Sequence, residues 1–376
     1  MNIAIISFCG TLTEAYYITH LSDALSKTSR VTVFIPEHGR LQTLGESVGL
    51  VKFSFPSSLP KAILLASVPF THRGLLREIK LINPDVIHIA FELRAPFLFA
   101  LALHRHYPIV TTIHEPKSPL HTVVRSVLLN PIHSANVRFL IKSSDRIIVH
   151  GEKHKEYLTA KKVPAYKIAV TPHGAFSHFA LSAKENLGAQ EGNILFFGRI
   201  TPYKGIEYLI QAVKLIEKRL STVTATIAGE GDFAKYERLI EGDEHFIVDN
   251  RLIPDDEVAS LFQKACVVVL PYTDGSQSGI ISIAGGFKKP VVATDVGNFS
   301  EMIEDGKTGF IVPPRDASAL AEAIIRLLRD DKLRQQMGEN AYQTVKEKLS
   351  WDNIAQRTLR VYEEAMILRC ANAGTA

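Results

Sequence analysis

Short apolar runs rich in β-branched residues recur along the chain, separated by longer stretches in which apolar residues return every three or four positions. An apolar run of about four to eight residues is typical of a strand buried on both faces, and the longer period is typical of an amphipathic helix. Their alternation predicts βαβ units around a parallel sheet. In the first half of the chain we predict strands at residues 3–7, 31–35, 86–89, 109–112, 146–149 and 168–170.

The alternation is interrupted after Pro172-His173-Gly174, where a polar stretch over residues 182–192 separates two series of strands. We interpret this stretch as a linker, because domain boundaries usually fall in polar segments of this kind. The second series is predicted at residues 193–197, 223–228, 245–248, 267–270, 291–293 and 309–312.

Apolar stripes at helical spacing between these strands indicate helices that pack on the sheets; one stripe comprises Ile206, Leu209, Ile210, Val213 and Ile216. We therefore predict an α/β protein with two Rossmann-like, doubly wound parallel-sheet domains that face a cleft, at residues 1–181 and 182–350. Residues 351–376 are predicted as a C-terminal helix, for which crossing back to the first domain is one alternative.

Composition agrees with an ordinary folded protein that has two cores. The 376 residues are 46% hydrophobic and 22% charged, which excludes disordered, collagen-like and coiled-coil classes. The net charge of +4 suits an anionic ligand or membrane surface but is too small to indicate nucleic acid. The three cysteines, Cys9, Cys266 and Cys370, form no C-x-x-C pair, so neither a disulfide framework nor a zinc site is predicted.

The predicted location follows from the apolar runs. The first run ends at Ser7 and has no basic residues before it, which favours a strand over a signal peptide. No apolar run reaches the ~18 residues that a membrane span needs. We expect a cytoplasmic protein, with peripheral attachment to the inner face of the membrane as an alternative.

Candidate chemistry begins directly after the first strand of the second domain, in the segment Phe197-Gly198-Arg199-Ile200-Thr201-Pro202-Tyr203-Lys204-Gly205. Ligands of doubly wound folds bind at the carboxyl ends of the strands. Gly198 allows close approach of the backbone, the following helix N-terminus favours an anion, and Arg199 and Lys204 add two cations. This combination predicts a diphosphate site, and a turn with solvated cations is the alternative.

Two further loops follow strands at the same edge. Ala228-Gly229-Glu230-Gly231-Asp232 places a carboxylate between glycines, where Glu230 would bind a ribose hydroxyl or cap the next helix. The stretch from Leu270 to Ile281 is rich in small and hydroxyl residues before a short helix, which is typical of an anion or sugar cradle.

The sequence lacks the motifs that are typical of several other enzyme classes. No G-x-G-x-x-G follows the first strand, and the chain contains no P-loop, nucleophile-elbow or H-E-x-x-H sequence. His114 ends a predicted strand of the first domain and is a candidate for the presumed cleft, although a lone histidine is more often structural.

These segments together resemble the retaining GT-B glycosyltransferases of family 4, the group 1 glycosyl transferases. The matching segments of the second domain are Gly198-Arg199 with Lys204-Gly205, Ala228-Gly229-Glu230-Gly231, residues 251–258, Leu270-Pro271-Tyr272 and residues 290–297. Those of the first domain are residues 84–88, His114-Glu115, residues 145–149 and Pro172-His173-Gly174.

The resemblance implies a nucleotide-sugar donor as substrate, no cofactor, and transfer of the sugar with retention. It implies that Arg199 and Lys204 hold the donor diphosphate, and that His114 lies beside the transferred sugar. Leu252 and Ile253 would line the base pocket, with Gly198, Gly229 and Glu230 close to the donor. No metal is expected, because the two cations stand where a divalent ion would otherwise serve, and no D-x-D occurs where such a metal would bind.

One departure from the family pattern concerns the pair E-x7-E, which usually precedes its G-x-P-V-V strand. Gly275 and Ile283 occupy those two places here. The loop resembles a subset with a Gln-Ser-Gly-Ile type sequence, in which the donor would be held by Ser276, Gln277, Ser278, Gly279 and Ile280. A non-catalytic nucleotide-sugar-binding partner or regulator stays open as an alternative, and so does a nucleotide-sugar epimerase.

The acceptor is expected to be a glycan or a lipid-linked sugar. Residues 117–142 mix basic side chains with apolar ones, which favours docking on anionic lipid, with two core helices as the alternative.

Overall fold

The computed structural model describes residues 1–8, 12–39, 41–55, 73–91, 97–116, 129–181, 183 and 187–373. Cys9 and residues 117–128 of the predicted lipid-docking segment lie outside these ranges. The chain divides into two compact units. The first unit comprises Met1–Gly174 and Ser350–Ala376, and the second comprises Ala175–Leu349.

The first unit is built on a parallel sheet of seven strands in the order β3-β2-β1-β4-β5-β6-β7. The strands are β1 (Asn2–Ile6), β2 (Arg30–Pro36), β3 (Val48–Phe53), β4 (Val86–Ile89), β5 (Ile109–Thr112), β6 (Arg146–Val149) and β7 (Ile168–Val170). The helices are α1 (Leu12–Ser26), α2 (Arg73–Ile82), α3 (Phe97–His104), α4 (Leu129–Lys142) and α5 (Glu152–Ala160), and the long helix Trp351–Ala373 at the end of the chain also belongs to this unit.

The second unit contains a parallel sheet of six strands in the order β10-β9-β8-β11-β12-β13. The strands are β8 (Asn193–Phe197), β9 (Thr224–Ala228), β10 (Phe246–Asp249), β11 (Val267–Leu270), β12 (Val291–Thr294) and β13 (Gly309–Val312). The helices are α6 (His178–Leu181), α7 (Ile206–Ile216), α8 (Ala234–Ile240), α9 (Asp255–Lys264), α10 (Gly279–Gly286), α11 (Phe299–Met302), α12 (Ala317–Arg329) and α13 (Asp331–Lys348).

The terminal helix, α14 (Trp351–Ala373), completes the core of the first unit. Ile354, Tyr362 and Ala365 of this helix are fully buried and share a cluster with Ile5 and Val33 of the sheet. Burial of large apolar side chains stabilises a fold by about 1.5–3 kcal/mol each. The first unit therefore depends on both ends of the chain.

Both sheets are parallel and doubly wound, so the predicted fold class is confirmed. Of the thirteen strands described, one was not predicted, namely β3. It pairs at the edge of its sheet, where Gly49, Leu50 and Lys52 are exposed. An exposed edge strand needs no continuous apolar run, so the pattern that predicts buried strands does not detect it.

Candidate functional site

The order of the second sheet reverses between β8 and β11, which is the point where doubly wound folds bind ligands. The loops after β8 and β9 touch here: the amide of Gly198 donates to the carbonyl of Ala228 (2.9 Å), and that of Ile200 donates to Glu230 (2.8 Å). At Gly229 (φ 142°) a Cβ atom would collide with the carbonyl of Gly198. The glycines therefore allow these two loops to lie against each other.

The loop after β8 also contacts the loop after β11. The amide of Thr273 donates to the carbonyl of Tyr203 (2.7 Å). Gly205 has φ 66°, and a Cβ there would overlap the carbonyl of Pro271. The 3-10 turn Pro202–Lys204 is thereby fixed between the start of α7 and the end of β11.

Lys204 is held at this edge by contacts with a neighbouring tyrosine. Its Nζ donates to the hydroxyl of Tyr272 at 2.5 Å and lies 4.3 Å from the centre of the same ring. The Tyr272 hydroxyl is 3.4 Å from Oγ of Ser278, and the carbonyl of Tyr272 accepts a hydrogen bond from Thr294 (2.6 Å). Because Tyr272 is buried, it gives the lysine a fixed position.

Arg199 is exposed in the same loop. Among the described residues, its guanidinium makes no hydrogen bond or ion pair. Its five donors are therefore available for an anion, and a guanidinium matches phosphate oxygens in a bidentate arrangement.

The loop that leads into α10 presents backbone donors. Ser278 is the N-cap residue of α10, and its side chain makes no capping hydrogen bond. Helix N-termini without a cap leave amide groups for an anionic ligand. The carbonyl of Ser276 accepts from the amide of Asn298 (2.8 Å), so the start of α11 supports this loop. Gly279, Ile280 and Gln277 are half-buried at the same turn.

The remaining residues that are predicted to bind the nucleotide-sugar donor differ in their exposure to solvent. Glu230 is exposed, Leu252 is 71% exposed and Ile253 is buried. Leu252 follows Arg251, whose guanidinium binds Asp249 (2.8 Å) and Glu257, so this segment is anchored to β10 and α9. An exposed leucine beside an anchored segment is available to stack on a planar ligand.

His114 lies in the first unit, directly after β5, and both of its ring nitrogens are engaged. Nε2 is 3.0 Å from the carbonyl of Ala90, and Nδ1 is 2.9 Å from Nε2 of His150. Nδ1 of His150 is 2.9 Å from the carbonyl of Thr171. The His114 ring stacks on Phe91 with centroids 3.9 Å apart. Because these loops follow β4, β5, β6 and β7, the contacts form at the carboxyl edge of the first sheet.

Further aromatic and imidazole rings enclose this pair. Tyr17 of α1 contacts His114 and His150 with ring centroids 4.9 and 5.9 Å away, and His173 lies 5.2 Å from His150. On the strand behind, His88 hydrogen bonds to Tyr362 and Thr112, each at 2.7 Å.

Burial sets the protonation of these groups. It lowers the pKa of His88 to about 3 and that of His173 to about 4, and it raises the pKa of Tyr17 to about 12. Burial first, and then the neighbouring imidazoles, lower the pKa of His114 and of His150 well below the usual imidazole value.

Tyr272 and His150 were not predicted as site residues. His150 directly follows β6 and Tyr272 lies two residues after β11, so both are at a carboxyl edge, which is the signal that identified the other candidates. A tyrosine or histidine at such a place shows no charge pattern, so only the contacts reveal its partner.

Among the described residues, one group has the spacing of metal ligands: Glu217, Asp243 and His245. His245 precedes β10, so this group lies at the amino edge of the second sheet, opposite the loops with Arg199 and Lys204. It therefore does not belong to the predicted diphosphate site.

Comparison with known families assigns both halves of the chain. The family described as glycosyl transferases group 1 matches residues 191–330, and glycosyltransferase family 4 matches residues 15–175. An uncharacterized glycosyltransferase of Methanocaldococcus jannaschii is 36% identical over 351 residues, which cover 88% of this chain and 87% of that protein. The phosphatidyl-myo-inositol mannosyltransferase of Mycolicibacterium smegmatis is 31% identical over 304 residues, covering 78% of this chain and 75% of that protein.

Solved structures share the fold. Sucrose-phosphate synthase of Thermosynechococcus elongatus superposes with a TM-score of 0.73 at 20% identity, covering 97% of this chain and 99% of that one. Anabaena HepE in complex with UDP also has a TM-score of 0.73, at 18% identity over 96% and 100% of the two chains. With the parallel sheets and the family matches, these similarities lead to one assignment: the chain belongs to the group 1, family 4 glycosyltransferases and has the GT-B fold.

Proposed function

We propose that this glycosyltransferase moves a sugar from a nucleotide-sugar donor to a hydroxyl acceptor, with retention of the anomeric configuration. The observation that carries the proposal is the pair of cations at the switch point: Lys204, held by Tyr272, and Arg199, which has no partner among the described residues. Structural relatives include Anabaena HepE with UDP-glucose, which supports a nucleotide-sugar donor.

The chemistry of the second unit follows from charge. Breaking the bond between the sugar and the donor leaves negative charge on the departing phosphate. Preorganised cations and helix amides that meet this charge lower the barrier, and such electrostatic stabilisation is commonly the largest contribution to catalysis. Arg199, Lys204 and the start of α10 would supply this stabilisation. The acceptor hydroxyl would approach the anomeric carbon from the same face from which the leaving group departs.

A metal is unnecessary in this proposal, because two cations serve the diphosphate. Transfer should therefore persist in excess EDTA. Complete loss of activity that Mg²⁺ or Mn²⁺ restores would refute the role assigned to Arg199 and Lys204.

The experiment that tests the function starts with thermal shift against a panel of UDP- and GDP-sugars, since a ligand that binds only the folded state raises its stability. The donor that stabilises the protein is then offered with glycan and lipid acceptors, and the anomeric configuration of the product is determined by NMR. An inverted product would refute retention. Thermal stabilisation by a nucleotide sugar, with neither sugar transfer nor donor hydrolysis, would refute the proposal that the protein is an enzyme.

A nucleotide-sugar-binding regulator is the second candidate, and one observation favours it. The places of the family's two glutamates hold Gly275, with φ 148°, and Ile283, which is buried. A glutamate would be strained at the first place and desolvated at the second. The loop is thus adapted to hold its ligand without these carboxylates, and donor hydrolysis by the purified protein separates an enzyme from a binder.

For the acceptor we propose a lipid-linked substrate reached from an anionic membrane surface. Support comes from the phosphatidyl-myo-inositol mannosyltransferase relatives and from α4, where Arg138, Phe139 and Lys142 are exposed while Val137 and Leu140 are buried. Among the described residues, no helix is long and apolar enough to span a membrane.

A further inference from the structure

The hydrogen bonds of His114 and His150 form a chain that ends on a backbone carbonyl at each side. Ala90 O is 3.0 Å from Nε2 of His114, and Thr171 O is 2.9 Å from Nδ1 of His150. A carbonyl oxygen only accepts hydrogen bonds. Each outer nitrogen must therefore carry a proton.

Counting protons determines the state of the central contact. A neutral imidazole carries one proton, so two neutral rings use both protons on the outer nitrogens. Nδ1 of His114 and Nε2 of His150, which lie 2.9 Å apart, would then face each other with lone pairs. Two unprotonated nitrogens at this distance repel each other. A third proton, placed between them, turns the contact into a charge-assisted hydrogen bond.

We propose that His150 is a positioning residue for His114, and that the two rings share one proton across the Nδ1–Nε2 contact. The proton gives the pair a single positive charge. His150 then holds one side of the His114 ring while Nε2–H stays directed at the carbonyl of Ala90. The charge also makes Nε2–H a stronger donor to a hydroxyl that replaces this carbonyl. The role at the transferred sugar rests on the proposed function, but the shared proton does not.

Some neighbouring groups favour protonation of the His114–His150 pair and others disfavour it. Titratable groups that face the pair are Tyr17 from α1, His88 from β4, His173 after β7 and His154 from α5. Burial lowers the pKa of both rings, and protonation of the other histidines would lower it further. The hydrogen bond to each carbonyl raises the proton affinity.

The hydrogen bonds to the two carbonyls therefore compete with burial for the central proton. Because the two rings share this proton, the pair titrates as one unit rather than as two independent rings.

The first test observes the proton itself. Full-length protein labelled with ¹⁵N-histidine is titrated without ligand between pH 5 and 8.5, and the resonances of His114 and His150 are assigned with His114→Gln and His150→Gln. We expect protons on the two outer nitrogens at every pH, and a single titration that both rings report together. Two rings that stay neutral throughout, with His150 protonated on Nε2 only, would overturn the proposal.

The second test uses a variant that keeps the hydrogen bond to His114 but replaces His150 by a side chain that does not titrate. The amide of Gln in His150→Gln can donate to Nδ1 of His114 at any pH, whereas His150→Ala has no donor. With UDP-glucose and GDP-mannose as probes, wild-type affinity should fall as pH rises through the shared titration. His150→Gln should keep the affinity and lose the pH dependence, and His150→Ala should weaken binding roughly tenfold or more.

The control is His38→Gln, which replaces an exposed histidine of the same unit. It should retain the wild-type pH profile, and melting temperatures report whether each variant folds. A pH profile in His150→Gln identical to that of wild type would contradict the shared proton. If neither nucleotide sugar binds wild type, the donor assignment fails, while the NMR titration still decides the proton.

Discussion

Lys204 and Arg199 lie in the same loop, but their side chains differ in how they are held. The buried hydroxyl and ring of Tyr272 hold Lys204 in place, whereas Arg199 is exposed and has no partner among the described residues. A cation fixed before the ligand arrives loses little entropy on binding, so it stabilises charge more effectively than a mobile one. Lys204 is accordingly the preorganised cation of the pair.

Replacing either cation should affect the rate of transfer more than donor binding, because charge grows on the leaving phosphate in the transition state. We expect Arg199→Ala and Lys204→Ala each to lower kcat roughly a hundredfold. If the two act on one diphosphate, the double variant should lose much less than the sum of both effects. Steady-state kinetics and donor affinity check this, with Lys218→Ala as an exposed-lysine control. Near-normal turnover in both single variants would place the diphosphate elsewhere.

Tyr272→Phe removes one hydroxyl and keeps the ring below Lys204. A hydrogen bond to a charged group contributes about 1.5–3 kcal/mol, so we expect roughly a tenfold or greater loss of kcat/KM, smaller than that of Lys204→Ala. Tyr208→Phe on α7 is the matched control, because this tyrosine makes no contact with Lys204 among those described. Equal kinetics for Tyr272→Phe and wild type would show that the hydroxyl does not position the lysine.

At this scale the sequence identifies the charged residues of the candidate site more readily than the residues that hold them in place. Arg199 and Lys204 are recognisable because two cations and two glycines follow a strand. Tyr272 and His150 act through a contact with one other side chain, at sequence separations of 68 and 36 residues. Such pairings depend on the register of two strands and cannot be derived from either segment alone.

Elements differ in how well their pattern predicts them. Buried strands such as β11 are apolar at every position and were predicted with correct ends. The edge strand β3 has a mixed pattern, because Gly49, Leu50 and Lys52 within it are exposed to solvent. Helix α4 shows the same dual character, since it buries Val137 and Leu140 but exposes Arg138 and Lys142.

The exposed basic residues of α4 lead to a prediction about binding to anionic membranes. Each lysine or arginine near an anionic surface contributes about 1 kcal/mol of binding. We expect wild type to float with liposomes that contain anionic lipid, and Arg138→Glu with Lys142→Glu to reduce binding about tenfold or more. Lys332→Glu, on the second unit, is the charge control and should bind normally. Equal, negligible flotation with anionic and neutral liposomes would leave α4 as a helix of the core.

At the scale of the whole molecule, the fold class follows from alternation along the chain, but the composition of each unit does not. The first unit contains residues from both ends, because α14 packs on β4, β5 and β6 and buries Tyr362 against His88. A helix with apolar positions can pack on any sheet of the molecule, so its periodicity does not identify the sheet. Fold class is a local property of the pattern, whereas the division into units depends on contacts between distant segments.

The buried histidines predict that the two units respond differently to acid. Burial lowers the pKa of His88 to about 3 in the folded state, while in the unfolded chain it returns to about 6.5. The unfolded state therefore binds more protons below pH 6.5. Stability is fully present above this value and is lost as pH falls towards the folded pKa. The loss from His88 alone should reach about 2 kcal/mol at pH 5.

His173 acts in the same direction, and it belongs to the same unit as His88. Hydrogen–deuterium exchange at pH 5 and pH 7.5, corrected for intrinsic rates, should therefore show protection lost first in Met1–Gly174 and the terminal helix. His88→Gln should flatten the pH dependence of that unit, although it lowers stability at neutral pH by disturbing the bonds to Tyr362 and Thr112. His38→Gln, which changes an exposed histidine, should leave the dependence unaltered. Equal loss of protection in both units would show that the buried imidazoles do not govern acid stability.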